Sequence, residues 1–175
     1  EIFDEYILII FKMLSFDGKN KKIYSEQISI ILGKDFVLSF QEKEGDLFDP
    51  IRERIRNSGG RVRKMGADYL AYLLFDITVD NYFHILEEIG VKLEDIEEKL
   101  ISGARGDFLK DIYHLKRELL TLRKYVWPLR EVLSRIEKDD TDLIKTKTDI
   151  FLRDLYEHTV HIIDELENFQ SRISG

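Results

Sequence analysis

The sequence predicts an α+β protein: short antiparallel strands and one short helix come first, and an antiparallel pair of long helices and a further long helix follow. Period-two apolar alternation is confined to the part before Gln41, and turn clusters punctuate it. From about Lys64 onward, apolar residues recur at steps of three and four with almost no breakers. With 175 residues and 43% hydrophobic content, the chain is long enough for one good core.

The elements follow in order. Tyr6 to Leu14 is apolar and rich in β-formers, and Asp17-Gly18-Lys19-Asn20 is a turn cluster. Ile23 to Leu32 is a second run in which Ile28, Ile30 and Leu32 keep period two. Gly33-Lys34-Asp35 turns again, and Phe36, Leu38 and Phe40 alternate in a third run, which completes a meander. Pro50 to Asn57 reads as a helix with proline near its start and Ser58-Gly59-Gly60 as its stop. So little structure buries little surface, and this region is expected to lean on further strands, on the long helices or on a partner.

Tyr82, Ile85, Ile89, Leu93, Ile96 and Leu100 form one stripe of a helix that ends at Gly103, and Asp107 is a candidate N-cap for the next. That helix carries Phe108, Ile112, Leu115, Leu119, Leu122, Val126, Leu129, Leu133 and Ile136 in alternating steps, the seam of a coiled coil. The short connection makes the two helices antiparallel. A last helix begins after Asp139-Asp140-Thr141-Asp142 and places Phe151, Leu155, His158, Ile162, Leu166, Phe169 and Ile173 on its seam, with no stop before Ser174-Gly175. It is expected to continue further, just as the apolar opening at Ile2, Phe3 and Tyr6 reads as though something precedes it, without a signal peptide.

Composition excludes several classes. A net charge of −7 argues against generic binding to a phosphate backbone, and nucleic acid is not an expected partner. The absence of cysteine removes disulfides and thiolate metal sites. The longest apolar run, Tyr69 to Phe75, is far short of the roughly 20 residues of a membrane span. No nucleophile elbow, Walker loop or dinucleotide turn is present, so no enzyme activity is expected.

Two groups of side chains carry candidate chemistry. Asp154, His158, His161 and Glu165 are spaced by four, three and four, which puts carboxylate, imidazole, imidazole and carboxylate on one helical patch able to hold a divalent cation. Solvated or seam-packed histidines fit the same spacing. His158 stands out because an imidazole in an apolar seam costs burial energy unless a partner satisfies it. Asp76 and Asp80 directly follow the apolar run at Tyr69 to Phe75, where a carboxylate must be paired, metal-bound or near an edge. The cluster Arg52, Arg54, Arg56, Arg61, Arg63 and Lys64 lacks interleaved aromatics and reads as a solvated face paired with acids around Glu87, Glu88, Glu94, Asp95, Glu97 and Glu98. Trp127-Pro128 lies inside a heptad run, where proline removes a helix hydrogen bond.

Tyr125-Val126-Trp127-Pro128-Leu129-Arg130-Glu131-Val132-Leu133-Ser134, with Leu115-Lys116-Arg117-Glu118-Leu119 before it and Arg153-Asp154-Leu155-Tyr156-Glu157-His158-Thr159 after it, resembles the cytosolic domain of CorA metal transporters. Phe40-Gln41-Glu42, Phe48-Asp49-Pro50-Ile51-Arg52-Glu53-Arg54-Ile55-Arg56 and Ala67-Asp68-Tyr69-Leu70 extend the resemblance across nearly the whole chain. The resemblance implies a homopentameric transporter of Mg²⁺ and Co²⁺ at the cytoplasmic face of the cell membrane, in which Mg²⁺ or Co²⁺ is both the transported and the regulatory ion. It divides the chain into a partial N-terminal α/β subdomain (1–64), an antiparallel willow-like helix pair (65–139) and the upper part of a stalk helix (140–175). Asp154 then matches the intersubunit metal ligand, Asp76 a second acidic ligand, and His158 a supporting histidine. Bound metal between subunits favours the closed pore, since a dication turns the repulsion of facing carboxylates into a bridge. The remaining acidic ligands, the first strands, both membrane helices and the Gly-Met-Asn loop would lie outside 1–175, and the membrane would be reached only through those helices. The alternative from another class is a stand-alone coiled-coil interaction module with no metal; a metal-dependent hydrolase ranks third.

Overall fold

The structure, a computed structural model, describes residues 1–17, 22–57, 60–103, 106, 108–139 and 141–174. The expected turn at 17–20, the stop at 58–60, the cap at Asp107, the run at 139–142 and the end at Gly175 lie wholly or partly outside them.

The chain folds as α+β. Strands β1 (Tyr6–Asp17), β2 (Lys22–Gly33) and β3 (Val37–Gln41) form a sheet in that order, antiparallel throughout. The register sets Ile9 opposite Ile30 and Phe11 opposite Ile28, so the alternating apolar residues of both strands reach the core on one face. Glu26 continues that face opposite Met13 and is itself buried. Phe36, expected in the third strand, lies in the turn before it, where Gly33 N–H bonds back to its carbonyl.

Helix α1 (Asp49–Arg56) has Pro50 in its first turn, where a missing N–H costs nothing. Its entry is fixed by Asp46, whose buried carboxylate accepts from the Phe48 N–H at 2.8 Å and from both terminal nitrogens of Arg52. Burial alone would raise the Asp46 pKa, but the Arg52 fork and the Phe48 N–H outweigh it and hold the carboxyl below its usual range.

Helices α2 (Ala67–Ile101), α3 (Phe108–Lys138) and α4 (Thr146–Ser174) make the rest. The α2 stripe is buried from Tyr82 to Ile96, whereas Leu100 is half in solvent one turn before the helix stops at Gly103, whose φ of 65° is the left-handed conformation of a helix end. The α3 seam is buried from Leu115 to Ile136, and the helix runs on through Pro128. Pairs of neighbours give the directions. Asp68 with Lys145, Phe83 with His158 and Glu97 with Arg172 advance together, so α2 and α4 run parallel. Glu137 with Arg153 and Arg123 with Gln170 run oppositely, so α3 is antiparallel to both. At Gly90 the helices come so close that a Cβ would stand 3.0 Å from the Phe169 ring. Among the described residues no helix is long and apolar enough to cross a membrane.

One expectation fails in α4. His158 does not occupy the seam; its side chain is 46% exposed, and Thr159, fully buried, stands there instead, between Leu155 and Ile162. Steps of three and four both fit a heptad at this point. The hydroxyl decides it, because Thr159 Oγ1 donates to its own helix at the Tyr156 carbonyl (2.6 Å), while a buried imidazole would have no such local partner.

Candidate metal centre

The parallel packing of α2 on α4 brings the candidate residues to one surface. His158 Nε2 lies 3.8 Å from Asp154 Oδ2, one turn apart on α4, and Asp154 is largely exposed. Across the interface, Asp76 of α2 comes within electrostatic reach of His158 and of Arg54 of α1. Partial burial pushes the Asp76 carboxyl up, the charge of Asp80 adds to that, and Tyr72, His158 and Arg54 draw it back without cancelling it. Burial also raises the Tyr72 phenol, helped by the charge of Asp76, its hydrogen-bond partner, and more weakly by those of Tyr69 and Asp154. An aromatic cluster adjoins Tyr72: Phe151 packs 5.3 Å from both Tyr69 and Tyr72, with Arg61 over its ring at 5.8 Å.

The other half of the α4 patch is not part of this cluster. His161 packs against Phe83 at 5.8 Å, and Phe83 also meets the edge of His158 at 6.3 Å. Among the described residues, no three His, Asp or Glu side chains of one chain converge tightly enough to hold an ion. The donor set is nevertheless suited to a hard or borderline dication: two carboxylates and one imidazole at a surface, with Asp154 paired to no lysine or arginine among the described residues. A single chain supplies part of a coordination shell, and waters or a second copy would complete it.

Tyr72, Phe83 and Arg54 escape a reading of the sequence. Tyr72 leaves a signal, four residues before Asp76 on the same helix face; Arg54 leaves none, because α1 meets the site only through the tertiary fold. The basic cluster also differs from expectation. Arg52 pairs with Asp46 and Asp49 of its own segment, and Arg63 Nε donates to the Ile55 carbonyl. Of the α2 acids expected to neutralise it, Glu87 pairs with His84, Asp95 with Lys99 and Glu97 with Arg172. The hairpin carries those acids away from α1.

This architecture, a small antiparallel sheet with three long helices, matches solved structures. It superposes on the soluble domain of CorA from Methanocaldococcus jannaschii with a TM-score of 0.85 at 21% identity, covering 99% of this chain and 69% of that one. The ZntB cytoplasmic domain of Vibrio parahaemolyticus gives 0.80 at 11% identity, covering 99% and 67%. In sequence, the chain is 45% identical over 175 residues to the cobalt/magnesium transport protein CorA of Thermotoga maritima, which is all of this chain and 50% of that protein. It is 28% identical over 144 residues to the putative metal ion transporter YfjQ of Bacillus subtilis, 82% of this chain and 45% of that one. The model of the CorA-like Mg²⁺ transporter protein family matches residues 1–175, and the chain belongs to that family. It spans about half the length of the curated relatives it matches.

Proposed function

We propose that this chain is the cytosolic sensing part of a divalent-cation transporter for Mg²⁺ and Co²⁺, with no enzymatic role. Asp154, Asp76 and His158 hold a divalent cation between subunits, and its binding favours the closed state of the pore. The observation that carries this reading is the approach of Asp76 of α2, across the helix interface, to His158, which stands 3.8 Å from Asp154 on α4. Carboxylates that approach one another are drawn together by a dication and repel without it. The same reading makes 1–64 an α/β subdomain, 65–139 the willow-like pair and 140–175 the upper stalk, in a homopentamer on the cytoplasmic side of the membrane.

Sedimentation of the chain with and without millimolar Mg²⁺ or Co²⁺ tests it. Either cation is expected to raise the assembled fraction, and Asp154→Ala to weaken that response about tenfold or more, the loss of roughly 1.4 kcal/mol of binding. An assembly state indifferent to cations, or an Asp154→Ala variant that responds like the parent, contradicts it.

A further inference from the structure

Tyr72 brings to the cation site a neutral donor whose position is set by packing. It precedes Asp76 by four residues on α2, one helical turn, and is its hydrogen-bond partner. Phe151 precedes Asp154 by three residues on α4. The rings of Tyr72 and Phe151 meet 5.3 Å apart with an interplanar angle of 34°, so this contact between the helices falls within about one turn of both carboxylates. Tyr69, buried, packs on Tyr72 at 5.5 Å and meets Phe151 edge-on at 5.3 Å. Three rings in mutual contact leave the Tyr72 phenol little freedom to follow a moving carboxylate.

A phenol has one proton to donate and a carboxylate has two oxygens to accept it. With one Asp76 oxygen engaged by Tyr72, the other remains for a cation. Asp154 differs: it is 69% exposed, and His158 Nε2 at 3.8 Å stands beyond hydrogen-bond distance, so its carboxylate is not tied in this way. Cations respond to that difference. Mg²⁺ demands near-ideal octahedral geometry and keeps several waters, which suits single carboxylate oxygens, whereas Ca²⁺ is larger, takes more oxygens in a flexible shell and readily accepts both oxygens of one carboxylate.

We infer that Tyr72 is a positioning residue that sets the specificity of the cation site: its hydroxyl holds Asp76 to one free oxygen and so favours Mg²⁺ over Ca²⁺. The inference rests on the proposed cation site and adds a selectivity that the ligands alone do not carry. Removing the hydroxyl while keeping the ring frees the second Asp76 oxygen for bidentate contact, which Ca²⁺ uses and Mg²⁺ does not. The ring itself keeps its place between Tyr69 and Phe151, so the substitution changes the ligand's freedom and not the packing of α2 on α4.

Sedimentation of the chain in graded MgCl₂ or CaCl₂ gives the half-saturating concentration of each cation. The ratio of the Ca²⁺ to the Mg²⁺ value is expected to fall about tenfold in Tyr72→Phe, the size of effect usual when a group that orients a ligand is removed. Phe151→Leu loosens the ring cluster and leaves the phenol in place, so it should shift both cations together and keep the parent's ratio. A Tyr72→Phe chain with the parent's ratio overturns the inference, whether its two affinities are unchanged or fall equally, and leaves the cation site standing as long as Asp154→Ala still weakens the response. A ratio moved as far by Phe151→Leu as by Tyr72→Phe assigns the effect to packing and overturns the role of the hydroxyl. A parent chain indifferent to both cations overturns the inference and the cation site together.

Discussion

Ile162→Ala is expected to lower the unfolding free energy by about 3 kcal/mol, whereas Ile150→Ala in the same helix should change it by no more than about 0.5 kcal/mol. The substitution is the same; the environments are not. Ile162 is fully buried in the α4 seam against α2 and α3, so truncation leaves a cavity where the neighbouring helices cannot collapse. Ile150 is 68% exposed, and water replaces what the side chain gives up. Urea unfolding followed by circular dichroism measures both. Equal effects would mean that α4 presents a different face to the core, and with it that Asp154 and His158 point elsewhere.

Asp68→Ala should cost about 2 kcal/mol, and Asp68→Asn less, in the same measurement. Asp68 is buried in the first turn of α2, and its Oδ2 accepts the Lys145 N–H at 3.0 Å. Lys145 opens α4, since its carbonyl takes the first helical N–H bonds from Thr148 and Asp149. One carboxylate thus accepts from the start of α4 and places its negative charge in the first turn of α2, where the helix dipole favours it. Alanine leaves the Lys145 N–H without its side-chain acceptor and empties a buried site; asparagine keeps the acceptor and loses only the charge. An alanine variant as stable as the parent would show that the two helix starts are held by packing alone. The consequence reaches the metal centre, because this contact sets the relative height of α2 and α4 on which the approach of Asp76 to His158 depends.

The sheet and α3 were legible because each has one face to bury and a period that matches it. Ile28, Ile30 and Leu32 alternate and are all buried; Leu115 to Ile136 follow the heptad without a miss. Helix α4 was legible as a helix but not in its phase, since Leu155 to His158 and Leu155 to Thr159 are both allowed steps and only the Thr159 hydroxyl finds a backbone partner when buried. Leu100 reads as seam by spacing alone, yet one turn before the helix ends its side chain is half exposed. The pairing of Asp154 with His158 is local, one helical turn, and could be read from spacing. The arrival of Asp76, Tyr72 and Arg54 at the same place is set by the parallel packing of α2 on α4 and the docking of α1, which no local pattern encodes.

Anomalous diffraction from crystals grown with Co²⁺ locates the cation itself. A cobalt peak is expected at coordination distance from an Asp154 carboxylate oxygen, near Asp76 and His158, with remaining ligands from water or a second copy, and it should vanish in Asp154→Ala crystals. Cobalt found only elsewhere, for instance at the exposed His84 or His161, or a peak unchanged by Asp154→Ala, would contradict the assignment of this surface as the cation site.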